Sequence, residues 1–282
     1  MFEVLMFLYG SKRFIFRFVL CMFLFVPEIS IAQPWKVSAK VSNLGWKSMV
    51  YVESIQKSPG LLNTVPDTVR GTGFIISDKA KVYLVTSLSN IRSKQVSLNS
   101  NRVDSIYLSA SSDGRRGGFH LKLPKGGKEL ANDMYLSVNQ NLTIISLRNY
   151  NGVLNYLINS GIKPIPLNLI HTTIKAPNVG DTIFNSVYTS FKNEEGQRRR
   201  IAGIGISFIK SFDAKANTFV MEKAFKAGGN GSAVFLDGRV IGMMTHKLGY
   251  LSDGVVLKST QIIAGLKELQ QKKYLLKANT KN

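Results

Sequence analysis

Few residues in this chain could do chemistry, and their spacing limits what that chemistry could be. Residues 227–235 read AGGNGSAVF, so two glycines precede Asn230, Gly231 follows it, and Ser232 stands two positions on. Glycines at this density permit a tight turn that exposes the residue between them. At that place Asn230 offers an amide, whose delocalised nitrogen lone pair makes it a poor nucleophile. Ser232 offers a hydroxyl, which attacks only with a base beside it. The candidate bases are His120, His171 and His246, and the only cysteine is Cys21. Histidines so far apart, with no cysteine near them, match no zinc spacing, so neither a metal site nor a cofactor is expected.

The elements that must position these residues begin after a distinct leader. Lys12, Arg13 and Arg17 precede the uncharged run FVLCMFLFVP (18–27), and Ser30 and Ala32 have the small-x-small spacing of a cleavage site. That layout predicts a secretory signal peptide over residues 1–32, with Met1 or Met6 as its start. The run is too short to span a bilayer comfortably, so no stable membrane span is expected after cleavage. Cleavage also removes Cys21. The mature chain then holds no thiol and no disulfide, which some 250 residues tolerate because they bury enough apolar surface unaided.

Beyond the leader the apolar residues fall in short runs broken by turn residues. SMVYVESI (48–55), GTGFIIS (71–77), VYLVTSL (82–88) and NLTIISL (141–147) read as strands. DTIFNSVYTSF and IAGIGISFIKSF form two more across KNEEGQ, and Asp237-Gly238 between AVF and RVIGMMT is a strong hairpin signal. Many short strands at this spacing argue for an all-β sandwich or barrel. Helical spacing appears at NGVLNYLINSG (151–161) and at STQIIAGLKELQQKK (259–273). The second places Ile262, Ile263, Leu266 and Leu269 on one face, with Ser259 or Thr260 as N-cap. A divide falls between 150 and 165, and residues 274–282 read as a frayed tail.

Three stretches together resemble the trypsin-like (chymotrypsin-fold) serine peptidases of bacterial envelopes. GTGFIIS…YLVTSLSNI is similar to the family's histidine motif, NLTIISL to its aspartate motif, and GGNGSAVFLDGRVIGMMT to its nucleophile motif. The resemblance runs from about 40 to 260 and implies two six-stranded β-barrels, over 36–150 and 151–258, followed by the C-terminal helix. It puts Ser89 at the histidine position, Asn141 at the aspartate position and Asn230 at the serine position. A hydroxyl cannot act as general base near neutral pH, and a neutral amide cannot stabilise an imidazolium. The expected protein is an exported pseudo-peptidase. Ser232 is the one rescue candidate for an active serine endopeptidase, although it would sit at the start of a strand.

A shell without catalysis can still bind. The resemblance implies that the Gly228 and Asn230 backbone N–H groups form an oxyanion hole, or else that the glycines merely permit the turn. Thr245, His246 and Lys247 would border the specificity pocket and offer an edge to an extended peptide, by β-augmentation. Lys247 would narrow that pocket or turn it towards acidic groups; an ordinary edge strand guarded by lysine is the plainer alternative.

Charge widens the choice of partner. Removing the leader's three basic and two acidic residues lowers the net charge only from +20 to +19. Such an excess favours anionic envelope components. Arg115 and Arg116, and Arg198, Arg199 and Arg200, are candidate anion-binding clusters, or solvated faces. Aromatic interleaving is absent around both, so no specific nucleic acid is predicted. The partner expected first is an extended peptide or protein of the periplasm or the secreted milieu. If polyanion binding is the main activity instead, affinity for duplex DNA should fall by about 0.9 log unit per contacted phosphate for each log unit of salt. A titration showing a flat salt response would remove that reading.

Overall fold

The computed structural model describes residues 44–56, 67–91, 105–110, 117–123, 133–170, 177–192, 198–212, 216–222, 228–248 and 253–279. The leader 1–32 and the pair Arg115 and Arg116 lie outside these residues. What is described is an all-β protein with two barrel-like halves and a C-terminal helix.

The first half contains β1 (Met49–Gln56), β2 (Asp67–Asp78), β3 (Lys81–Ser87), β4 (Ser105–Ser109), β5 (Phe119–Lys122), β6 (Met134–Ser137) and β7 (Leu142–Ser146). They form one curled sheet in the order β5-β4-β1-β2-β3-β7-β6. The linking helix α1 (Asn151–Asn159) buries Val153 and Leu157 and ends at Gly161, whose φ of 77° is the left-handed value glycine accepts at no steric cost. After α1 the chain returns to the first sheet, where β8 (Ile165–Pro166) pairs parallel with β2.

The second half is a closed six-stranded barrel: β9 (Thr182–Lys192), β10 (Arg198–Phe212), β11 (Thr218–Met221), β12 (Ala233–Leu236), β13 (Arg239–Lys247) and β14 (Gly254–Lys258). The β12–β13 hairpin turns at Asp237 and Gly238, with φ of 50° and 75°, as the two-residue loop requires.

Period two explains why these strands carry continuous apolar runs. On β2, Phe74 and Ile76 enter one cluster while Ile75 enters another; Tyr83 and Val85 part from Leu84 on β3, and Ile144 from Ile145 on β7, in the same way. On the barrel, Phe235 and Met243 face the shared cluster, whereas Val234 and Met244 face the barrel's own interior. The central strands β2, β3, β7, β12 and β13 thus bury one face inside their own half and the other in the shared cluster. By contrast, β5 and β10 alternate buried with exposed residues.

The shared cluster is closed by α2 (Ser259–Asn279) through Ile262, Ile263, Leu266 and Leu269, the residues predicted for its buried face. The helix runs six residues past the predicted end at 273. Gln270 fastens it to the first sheet, its Nε2 donating to Asp78 Oδ2 at 2.9 Å and to the Tyr83 hydroxyl at 3.1 Å. No described helix is long and apolar enough to cross a membrane. Leu266→Ala should lower unfolding free energy by about 2–5 kcal/mol in a urea titration, the usual range for a buried leucine. A change under about 0.5 kcal/mol would mean that the helix adds little to the junction.

Candidate functional site

The short polar residues inside the apolar strand runs meet where the two halves touch. Thr72 of β2 stands at their centre. Its N–H donates to the Asn230 carbonyl at 2.9 Å, and its Oγ1 donates to the Gly228 carbonyl at 2.6 Å. The same Oγ1 accepts from the Tyr188 N–H of β9 at 2.9 Å. Asn90, fully buried, donates through Nδ2 to the Asn230 carbonyl at 2.8 Å and to Thr86 Oγ1 at 2.9 Å. Loop 228–231 is therefore gripped by donors from the first half.

Glycine is mandatory at 231. Its φ is 87°, and a Cβ built there would fall on the Thr72 carbonyl oxygen and against Thr86 Oγ1. Its N–H donates to the Met244 carbonyl at 2.7 Å, and the Met244 N–H returns a bond to the Ser232 carbonyl at 2.9 Å. These bonds continue the β12–β13 ladder up to the loop.

Ser89 occupies a 3₁₀ turn, Leu88–Asn90, at the end of β3. Its N–H donates to Asn141 Oδ1 at 2.9 Å, and its hydroxyl shares a 2.7 Å bond with Ser87 Oγ. Asn141 precedes β7 with a φ of 50°, a left-handed value that asparagine tolerates better than most residues. Its Nδ2 donates to the Thr245 carbonyl at 3.0 Å. One amide thereby joins β3, β7 and β13.

Ser89 and Asn141 are thus in direct contact, and Asn230 joins the same network through Asn90, the neighbour of Ser89. Every member of the network is neutral: hydroxyls, amides and backbone groups. It has no proton acceptor of useful basicity and no charge to stabilise an imidazolium.

Ser232 lies fully buried, and its Oγ has no hydrogen-bond partner among the described residues. A hydroxyl enclosed in this way has no path to a substrate. His120 sits on β5 beside the Tyr107 ring, with centroids 5.2 Å apart, and His171 is outside the described residues.

The nearest approach to a hydroxyl–imidazole pair is Thr245 Oγ1 with His246 Nδ1, at 3.0 Å. Thr245 is buried, and its hydroxyl donates to the Val255 carbonyl at 3.1 Å. With the hydroxyl proton spent there, Nδ1–H must be the donor in the first contact, the reverse of what a general base requires.

The remaining candidates are spread more widely. Thr245 stands at a bulge between Met244 and His246, and Lys247 ends β13 opposite Gly254. On the β12 side the ladder stops at Ala233↔Met243 and the Ser232–Met244 bond, so 245–247 run past the end of β12. Arg198, Arg199 and Arg200 start β10 opposite Lys192, Phe191 and Ser190, of which Ser190 lies two residues along β9 from Tyr188. Lys210, further along β10, forms a 2.6 Å ion pair with Asp253. Its hydrogen bond to that carboxylate, and then the carboxylate's charge, raise its pKa above the ordinary lysine value. No group of three or more metal-ligating side chains forms among the described residues.

Sequence reasoning missed Thr72, Thr86, Ser87 and Asn90. Their signal was present: polar residues set among glycine and aliphatic residues in GTGFIIS and VTSLSN, where only a partnered polar group is buried cheaply.

By fold, then, the chain is an all-β, two-barrel protein with a C-terminal helix, and its site is a neutral hydrogen-bonded network at the junction of the halves. Scanned against protein-family models the sequence matches none, and a search of curated proteins returns no match.

The network makes a sharp statement about residue 141. Asn141→Asp keeps the acceptor for Ser89 but replaces the donor to Thr245 with a charged oxygen facing a carbonyl. At pH 7 it should cost about 1–3 kcal/mol of stability. That carboxyl's folded-state pKa should be raised, so the penalty should be absent below its unfolded value and develop as pH rises through it. Equal denaturation midpoints for both proteins at pH 7 would show that the Asn141–Thr245 bond carries no weight.

Proposed function

We propose that this chain is an exported homologue of trypsin-like serine peptidases that has lost catalysis and binds an extended peptide or protein segment at the junction of its two halves. The observation that carries the reading is the neutral network itself. Of the positions expected to hold the proton shuttle and nucleophile, Ser89 and Asn141 are bonded to each other. The Asn230 carbonyl is held by Thr72 and by Asn90, the residue after Ser89, and none of the three positions offers a group that could move a proton. Losing one central member of such a triad already costs on the order of a millionfold in kcat.

Binding asks less of the side chains. The Gly228 and Asn230 N–H groups donate to no acceptor among the described residues, and they can meet a partner's carbonyl whatever the side chain at 230. The stretch 245–247 beyond the end of β12 supplies backbone for main-chain pairing. The buried, unpartnered Ser232 hydroxyl counts against the alternative of an active hydrolase.

Two measurements test the proposal. Purified protein should stay unlabelled by a fluorophosphonate probe; labelling that disappears on Ser232→Ala would overturn the loss of catalysis. A random hexapeptide mixture should be retained by immobilised protein, and retention should drop at least tenfold in Asn230→Trp, which fills the loop. Unchanged retention in that variant, at an unchanged thermal midpoint, would move the binding surface elsewhere.

A further inference from the structure

The 228–232 loop spends its acceptors inward. The Gly228 carbonyl accepts from Thr72 Oγ1, the Gly229 carbonyl from the Ser232 N–H at 3.0 Å, and the Asn230 carbonyl from Thr72 N–H and Asn90 Nδ2. A peptide plane points its N–H opposite to its carbonyl. Pinning the Gly229 carbonyl therefore fixes the direction of the Asn230 N–H, away from the turn. The N–H groups of Gly228, Gly229 and Asn230 donate to no acceptor among the described residues. Successive backbone donors around a glycine with φ of 79° make a concavity that favours anions.

Asn230 adds a donor that a serine there would lack. Its side chain is half-buried, and no hydrogen bond engages it among the described residues. One residue thus carries both a backbone N–H and a side-chain amide donor, two groups that could serve two oxygens on one carbon.

Charge decides between the groups that could use it. An internal peptide carbonyl is neutral and brings one oxygen. A terminal carboxylate brings two, and hydrogen bonds to it are about twice as strong. The full chain carries +20, and three of the described carboxylates are engaged elsewhere: Glu53 on Arg70, Asp253 on Lys210, Asp78 on Gln270.

We propose that loop 228–230 captures the free C-terminal carboxylate of the bound peptide. One oxygen rests on the Gly228 and Asn230 N–H groups, the other on the Asn230 side-chain amide. The inference rests on the reading of the junction as a peptide-binding site and names the end of the peptide that it holds. A polypeptide partner would then terminate at the loop rather than thread through it, and a fragment released by some other peptidase would be a better ligand than an uncut chain.

The test uses the full chain and one random hexapeptide mixture made in two forms, with free C-terminal carboxylates and with C-terminal amides. Retained peptides are counted by mass spectrometry. The acid form should be retained at least tenfold better. Asn230→Asp, a near-isosteric change that sets a negative charge against the ligand, should abolish that preference while leaving the thermal midpoint in place. Equal retention of both forms, lost together in Asn230→Trp, would overturn carboxylate capture and leave the peptide-binding site standing. Retention of neither form would overturn both.

Discussion

The architecture depends on how closely two backbones approach at Gly231. The Thr72 carbonyl occupies the space where a side chain at 231 would begin, so the loop can lie on β2 only because residue 231 has no Cβ. Once it lies there, the Thr72 N–H and hydroxyl and the Asn90 amide reach the loop's carbonyls, and Gly231 itself bonds to Met244. A single steric permission therefore fixes the docking of the second half on the first at its polar end. The apolar cluster under α2 fixes it at the other. Directional bonds set register at the first end, and burial supplies most of the free energy at the second.

Much of this was legible in the sequence because the fold obeys local rules. Runs such as FII, YLV and TII announced strands, Asp237-Gly238 announced its hairpin, and the apolar face of α2 was read residue by residue. What failed depended on tertiary context or weak punctuation. The lysines at 272 and 273 suit a helix C-terminus but do not stop a helix. YLLKAN contains neither glycine nor proline, so α2 continues to Asn279. The two-residue strand β8 exists only because β2 lies beside it. β11 and β14, at 4 and 5 residues, are too short to show a period against their flanks.

The site was legible in part for the same reason. Ser89 and Asn141 are bonded to each other and Asn90 holds the Asn230 carbonyl, yet Asn90 and Thr72, which grip the loop, were passed over. Thr72 and Asn90 carry no chemistry of their own, and a search for nucleophiles and bases skips them. Their role appears only when the destination of each buried polar group is followed. By that accounting Asn90 Nδ2 is fully used while its Oδ1 has no partner among the described residues. A cost of this kind is tolerated where the rest of the group holds two elements together.

The same accounting links the residues at 89 and 141. A carboxylate at 141 is stable beside a cationic or hydrogen-donating ring, which pays back its desolvation through charge. With serine at 89 no ring stands there. A half-buried carboxylate at 141 would keep the Ser89 N–H but face the Thr245 carbonyl without the proton that Asn141 Nδ2 supplies. Asparagine resolves the conflict because it accepts and donates at once: Oδ1 takes the Ser89 N–H, and Nδ2 gives to Thr245. The two positions are joined through the Ser89 backbone N–H, which any residue at 89 would present, while the Ser89 hydroxyl pairs with Ser87. Aspartate at 141 would set a charged oxygen against the Thr245 carbonyl. The amide at 141 therefore satisfies an N–H on one side and a carbonyl on the other without a charge to desolvate.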